Sequence, residues 1–348
     1  MNRITIKINL DQYKANLKRL ASSLPTECGI MAIVKADAYG HGAIDVAKAA
    51  IEEQVRYLGV ATLSEYNSLY QAGIDYPTLL LSEPVFIETD TDLAKNLTYT
   101  VYTIDFIKRL QAFASRSSNI IKIHLKVDTG MNRLGIHSRH TSEMLSFIQK
   151  CPHLYLEGLY THLSQSEISS SGFTQKQLKD FLKIRNLVEV PLIHSANSGG
   201  IRYFPDSYFS MVRVGLDSYK NVMEVMSRVL LIKDIPAGES VGYDAQFTAS
   251  VEIKIAIISA GYADGISTLF RTGHVFIKGN RYPIIGKICM DMFMVNLGNN
   301  DMKVSCGDEV TILGRTSTTL EEWADISGLN PREITCLLGN GKRSQKRD

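Results

Sequence analysis

No stretch of the chain comes near the roughly 20 consecutive apolar residues that a membrane-spanning helix needs, so no part of it is expected to cross a bilayer. The opening Met1-Asn-Arg-Ile-Thr-Ile-Lys-Ile8 alternates as a strand does and lacks the apolar core of a secretion signal. Cysteine is sparse and unpatterned. The five present, Cys28, Cys151, Cys289, Cys306 and Cys336, form neither a CxxC pair nor a metal-ligand cluster, which excludes a zinc module or a disulfide scaffold. Reduced thiols in a cytoplasmic protein are the expectation. Neither sign of charge dominates: 38 Lys and Arg against 36 Asp and Glu leave a net charge of +2, no signature of a nucleic-acid partner. Neither GxGxxG nor a Walker lysine loop occurs, so a nucleotide-binding module is disfavoured. Internal repeats and low-complexity segments are also missing.

What is present is an ordinary globular balance over 348 residues, 45% hydrophobic and 21% charged, enough for one large domain or two. From residue 29 to 214, short β-branched runs alternate with stretches of helical periodicity. The runs are Ile30–Lys35, Tyr57–Thr62, Thr78–Leu81, Tyr99–Thr103, Ile120–Val127, Tyr155–Thr161, Leu192–His194 and Phe209–Val214. Helices are expected at Ala43–Glu53, Ser64–Ala72, Thr91–Asn96, Asp105–Ser115, Thr141–Lys150 and Thr174–Leu187, the last opening on a Thr174-to-Gln177 capping box. Eight such alternations fit a (β/α)8 barrel, although an open doubly wound sheet alternates in the same way. After about residue 228 the texture changes to strands separated by Gly, Pro, Asn and Asp turns, closed by one helix at Thr319–Ser327. The expected division is a barrel over residues 1–228 and a mainly β domain over 229–348, with residues 1–10 a candidate to pair with the latter. The segment Lys342-Arg-Ser-Gln-Lys-Arg-Asp348 reads as a frayed tail.

In a barrel, chemistry sits where the strands end. The first run ends on Lys35, the fifth leads into Arg133, the sixth into His162, the seventh into His194-Ser-Ala-Asn-Ser-Gly-Gly200, and the eighth into Arg213 and Gly215-Leu216. A lysine at the end of an apolar strand loses hydration, and its neutral amine then forms Schiff bases; alone, such a lysine can equally snorkel to water. Ser198-Gly-Gly200 and Gly215-Leu216 follow the last two strands, where barrels hold phosphate on backbone N–H groups, although each glycine alone can be a turn. Schiff-base lysine and phosphate cradle together suggest pyridoxal 5'-phosphate.

Six blocks resemble the signature segments of alanine racemases, in the family's order and over nearly the whole chain. They are Val34-Lys-Ala-Asp-Ala-Tyr-Gly-His-Gly42, Lys126-Val-Asp-Thr-Gly-Met-Asn-Arg-Leu-Gly135, Ala196-Asn-Ser198, Arg213-Val-Gly215, Gly261-Tyr-Ala-Asp-Gly265 and Lys287-Ile-Cys-Met-Asp291. The resemblance implies a pyridoxal-phosphate-dependent racemase acting as a homodimer with shared active sites. It implies Lys35 as the cofactor lysine, Tyr39, Asn197, Ser198, Gly215 and Leu216 around the phosphate, and Arg213 facing the pyridine nitrogen. His162 would link that arginine to a catalytic tyrosine, Tyr262, contributed by the partner subunit. Arg133 would stand near the phenolic oxygen and the substrate carboxylate, with Lys126 a candidate for carbamylation that holds it. Met290 and Asp291 would complete the substrate pocket.

The chain departs from the family near its end. Where most members carry a tyrosine beside the phosphate and the substrate methyl, alignment on Cys336 places Asn340. A short amide there opens space and offers a hydrogen bond, so serine is expected as a substrate beside alanine. This pattern resembles the racemase domain of the membrane serine racemases of vancomycin resistance, which implies a role in cell-wall precursor supply and a membrane segment preceding Met1. Asn132 and Lys220 are further departures. The rival readings are an ordinary alanine racemase with a divergent C-terminus, a non-catalytic pyridoxal-phosphate carrier, which lacks the β domain, and a decarboxylase, which puts an acid where Arg213 stands.

Overall fold

Runs that are apolar on both faces form strands covered on both sides, the condition of a parallel sheet wrapped in helices. A computed structural model of the chain describes residues 3–87, 94–117, 119–315, 317–341 and 344–347. Two compact units result, one comprising Met1–Tyr13, Asp37–Gly42 and Tyr219–Asp348, the other Lys14–Ala36 and Ala43–Ser218.

The first ten strands are β1 (Ile4–Ile8), β2 (Gly29–Ile33), β3 (Tyr57–Val60), β4 (Thr78–Leu80), β5 (Leu97–Val101), β6 (Ile121–Asp128), β7 (Ile136–His137), β8 (Leu154–Tyr160), β9 (Leu192–His194) and β10 (Met211–Val214). Eight of them run parallel in the order β10-β2-β3-β4-β5-β6-β8-β9, with β7 paired beside the end of β6. Every residue of β3 and β5 is buried. Between β9 and β10 the ladder lapses, and single bonds bridge the gap: Ser210 N–H to Ile193 O at 3.1 Å and Arg213 N–H to Ala196 O at 2.9 Å. The sheet is thus a nearly closed barrel, and the alternation of the sequence is that of a (β/α)8 fold rather than an open sheet.

The helices Ala43–Glu52, Leu63–Gln71, Ile104–Ser117, Thr141–Ile148 and Gly172–Arg185 return the chain between strands. The helix expected at Thr91–Asn96 begins outside the described residues. The capping box expected at Thr174 is not formed. Ser171 caps that helix by accepting from Thr174 N–H at 3.1 Å, while Gln177 is buried and binds the backbone N–H of Ser164 and the carbonyl of His162. A loop with unpaired backbone groups recruited the glutamine that a solvent-exposed cap would have used.

The other unit is antiparallel. It contains β11 (Met223–Ile235), the small pair β12 (Ser240–Val241) and β13 (Phe247–Thr248), then β14 (Ile253–Ile258), β15 (His274–Ile277), β16 (Asn280–Ile285), β17 (Phe293–Gly298), β18 (Glu309–Leu313) and β19 (Ser344–Arg347). The order is β14-β17-β16-β15-β18-β11-β1-β19, and β11 also pairs with β14, so six strands close on themselves. The expected border at residue 228 falls inside β11, whose whole length belongs to this unit. The N-terminal strand β1 pairs antiparallel with β11. Ser344–Arg347 is not frayed but pairs in parallel with β1, satisfying backbone groups on its open edge; Lys342 and Asp348 lie outside the described residues. Helices not foreseen include Leu10–Ala21 and Pro331–Gly339; the latter carries Asn330 as its cap and proline at its start.

One local feature has no counterpart in the hydrophobic pattern. Ala36, Asp37, Ala38 and Tyr39 all have φ between 52° and 54°, and Gly40 has φ 83°, so the chain leaves Lys35 through a left-handed helical turn. Each L-residue so placed costs about 1–2 kcal/mol. His41 Nδ1 bonds the carbonyls of Ala38 and Tyr39 at 2.9 and 3.1 Å. The helix Pro331–Gly339 presses on the turn: a Cβ on Gly40 would stand 2.3 Å from Thr335 O, and one on Gly339 2.0 Å from Gly40 O. Gly339→Ala is therefore expected to lower stability by about 1–3 kcal/mol in urea titration. Gly172→Ala, where an added Cβ meets nothing within 4 Å, should be neutral. Equal midpoints for the two variants would disprove the clamp.

Candidate active site

The barrel unit gathers its cations at one end. β2 delivers Lys35, and the strand end is pinned by Glu65, whose carboxylate accepts from Ala36 N–H and Ala61 N–H, each at 2.7 Å, while Thr62 and Glu65 form the capping box of helix Leu63–Gln71. Glu65 drew no attention in the sequence, because a capping glutamate gives no sign of a second strand end beside it.

Arg213, the third residue of β10, is buried and donates five hydrogen bonds. They run to His194 Nδ1 (2.8 Å), His194 O (3.2 Å), Thr161 O (2.8 Å), Ser195 O (2.9 Å) and His162 Nδ1 (3.1 Å). Its guanidinium also lies 5.3 Å over the Tyr160 ring. Burial lowers even this group to about 10. His162 is driven well below the usual imidazole range by desolvation and then by the Arg213 charge, so it is neutral at pH 7. With Arg213 donating to Nδ1, the His162 proton sits on Nε2.

Lys126 is buried on β6 with its ammonium 5.4 Å from the Tyr160 ring centre. Desolvation first, then the charges of Arg213, Arg133 and Lys35, bring its pKa down to about 7 against a weaker opposite pull from Asp128. Arg133 itself is exposed in the single chain and stands past a turn that Asp128 organises by accepting from Gly130 and Asn132 N–H. Asn132 has φ 54°, a conformation asparagine tolerates.

Past β9, Asn197 caps the short helix Ser198–Tyr203 by accepting from Gly200 N–H at 3.0 Å and donates to Leu163 O. The Ser198-Gly-Gly200 stretch is thus a helix start rather than a loop, buried together with Ser198. A Cβ on Gly199 would lie 2.6 Å from the Ser166 backbone. After β10 the chain turns at Gly215-Leu216, where Ser218 N–H and Oγ both bond Gly215 O.

In the β unit, Tyr39 stands edge-on to Tyr219 at 5.2 Å, in a cluster with Tyr13 and His41. Tyr262 rides the Gly261–Gly265 turn, held by Tyr262 N–H to Cys289 O (3.0 Å) and Ala263 N–H to Met290 O (3.1 Å). A Cβ on Gly261 would sit 2.3 Å from Met290 O, so the close approach excludes any other residue there. Yet the Tyr262 side chain is 47% exposed and Met290 50%. Tyr262 and Asn340 line one open cleft of about 530 Å³ with Cys336 and Leu337, and Asp291 follows Met290 on the segment that clamps the turn.

The donor set suits a phosphorylated aldehyde cofactor. Lys35, Lys126, Arg133 and Arg213 supply positive charge, a neutral imidazole lies among them, and Asp128 is the one acid acting on Lys126. Among the described residues no His, Cys, Asp and Glu cluster could hold a metal ion.

Residues 8–221 match the model of the alanine racemase N-terminal domain and residues 222–346 that of the C-terminal domain. The chain is 37% identical over 357 residues to the alanine racemase of Treponema denticola, covering 94% of each. It is 34% identical over 340 residues to that of Geobacillus stearothermophilus, covering 92% of this chain and 87% of the relative. Among solved structures it is similar to the Streptomyces lavendulae alanine racemase (TM-score 0.93, 28% identity, 99% of this chain and 97% of the other). It is also similar to the Bartonella henselae enzyme with covalently bound pyridoxal phosphate (TM-score 0.90, 27% identity, 100% and 99%). Fold and site define a barrel enzyme of the pyridoxal-phosphate-dependent racemase class. The chain belongs to the alanine racemase family.

A lowered lysine pKa has a sign. The penalty for burying charged Lys126 is complete below about pH 7 and is relieved as pH rises toward the ordinary lysine value of 10.5, so this residue makes stability climb with pH across that window. With CO2 excluded so that its amine stays free, the Cε resonance of Lys126 followed by NMR is expected to titrate near pH 7. A midpoint at the ordinary lysine value would disprove the electrostatic picture.

Proposed function

We propose that the chain racemises alanine by proton exchange at Cα, with Lys35 on one face and Tyr262 of a second copy on the other. The observation that carries this reading is the half-exposed Tyr262 on a rigidly clamped turn. Such a side chain is held in place yet left uncovered by its own chain. A second protomer that receives it makes the homodimer the active species.

When bound, pyridoxal 5'-phosphate withdraws electrons from the substrate Cα and makes its C–H bond acidic. Lys35 would hold the cofactor and would move the proton on the face belonging to the D-enantiomer. Tyr262 of the partner serves the L-face. Tyr39, Asn197, Ser198 and the backbone of Gly215 and Leu216 would hold the phosphate. Arg213 would present a cation to the cofactor's ring nitrogen and disfavour its protonation, a weaker electron sink that suits racemisation without transamination. His162, neutral and oriented by Arg213, passes that orientation to Tyr262. Arg133 binds the substrate carboxylate, Lys126 as its carbamate holds Arg133, and Met290 and Asp291 border the pocket.

Serine as a second substrate is favoured by one observation: Asn340 borders the same cleft as Tyr262 with a short amide. Turnover of serine would place the enzyme, like the resistance racemases it resembles, in the supply of D-amino acids to cell-wall precursors. No helix among the described residues is long and apolar enough to cross a membrane.

Two experiments test these readings. Chains carrying Lys35→Ala or Tyr262→Phe are each expected to lose activity, and mixing them with subunit exchange should restore about a quarter of native turnover, since half the dimers then carry one intact site. No recovery means Tyr262 acts within its own chain or not at all. Asn340→Tyr should lower kcat/KM for serine relative to alanine about tenfold or more; an unchanged ratio removes the serine assignment.

A further inference from the structure

Behind Arg213 the barrel interior holds a polar chain that the racemase reading does not use. His194 Nε2 lies 3.0 Å from His124 Nδ1, and His124 Nε2 lies 3.4 Å from Glu157 Oε2. Glu157 also accepts from Tyr57 Oη at 2.5 Å and from Lys122 Nζ at 2.8 Å. Both histidines are completely buried, and His194 stacks on Tyr160 at 4.6 Å. From the last residue of β9 the chain runs through the middle of β6 and β8 to Tyr57 at the start of β3, away from the strand ends that carry the cations.

The backbone is shaped for it. The β6–β8 register steps from Ile123↔Leu156 to His124↔Gly158, so Glu157 is the extra residue of a β-bulge, a device that re-aims a side chain. The next residue is Gly158, where any Cβ would lie 2.6 to 2.7 Å from the His124 ring. Bulge and glycine together admit the imidazole and direct the carboxylate to it.

The donor directions are forced from both ends. A guanidinium has only donors, so His194 Nδ1 must accept and its proton must sit on Nε2. His124 Nδ1 then accepts, and its Nε2–H points at a carboxylate that has only acceptors. Burial alone would raise the Glu157 carboxyl, but hydrogen bonds from His124, Lys122 and Tyr57 outweigh it and hold it at about 2. Desolvation keeps both imidazoles neutral. Every link is therefore satisfied in one arrangement only. A reversed tautomer at His124 would force a proton onto His194 Nδ1, against the Arg213 donor.

We propose that Glu157, acting through His124 and His194, is a positioning residue for Arg213, fixing the tautomer that accepts from the guanidinium and so the plane and charge it presents. Its consequence for turnover rests on the place given to Arg213 above. The tautomer test does not, so the two can fail separately.

The experiment is ¹⁵N NMR of the histidines in the purified holoenzyme between pH 5.5 and 8.5, joined to kinetics. Native His194 and His124 are expected to show Nε2–H tautomers throughout. Glu157→Gln should shift the His194 ring nitrogens and lower kcat about tenfold, with a smaller change in KM. Should that variant fail to fold, Tyr57→Phe removes one donor from the carboxylate and leaves its charge; its effect on His124 must reappear at His194. Nδ1–H tautomers in the native protein, or a His194 signal and kcat unmoved in a folded Glu157→Gln or Tyr57→Phe chain, would overturn the proposal. Shifted nitrogens with unchanged kcat would overturn the catalytic part alone.

Discussion

A single buried cation ties the barrel together. Where the β9–β10 ladder lapses, the Arg213 side chain bonds the carbonyls of Thr161, His194 and Ser195, fastening the ends of β8 and β9 to β10. Burying a guanidinium is costly unless its donors find acceptors, and the five bonds from Nη1 and Nη2, with a π face beneath, offset that cost. The same requirement fixes two imidazoles as acceptors, and the Arg213 charge adds to desolvation in keeping His162 neutral and bringing Lys126 down to about 7. Closure of the fold and tuning of the site are thus one constraint, and no substitution at residue 213 can separate them.

The two units use glycine for different ends. In the barrel, Gly158 makes room for an imidazole in the interior. In the β unit, Gly261 and Gly265 let backbone lie on backbone, Gly261 against Cys289 and Met290 and Gly265 against Leu337, so that the Tyr262 turn is held on two sides while its ring stays uncovered. Rigidity of the support with exposure of the tip is what the proposed reach of Tyr262 into a second protomer requires.

The barrel strands were legible because buried parallel strands advertise themselves as apolar runs, and the strand-end rule then picked out Lys35, His162 and Arg213. The β unit was legible from its turn residues. What escaped were features decided at long range. Glu157 and His124 stand as polar interruptions in Leu154-Tyr-Leu-Glu-Gly-Leu-Tyr160 and Ile121-Lys-Ile-His-Leu125, a visible signal, but one that names no partner until β6 and β8 are side by side. The left-handed turn after Lys35 was illegible for a stronger reason: alanine, aspartate and tyrosine there prefer the opposite hand, and only contacts with a helix some 300 residues away impose it. Gln177 shows the converse, a local capping signal overridden by a neighbouring loop.

That turn sets an order of events in the making of the protein. Four residues held against their own preference cannot keep that shape in a nascent segment, because the helix whose Thr335 and Gly339 press on Gly40 is synthesised some 300 residues later. The stretch that follows Lys35 is made early and finished late. Until then Lys35 hangs on an unfinished hinge, and a chain truncated before residue 339 would carry that lysine without the turn that fixes its surroundings.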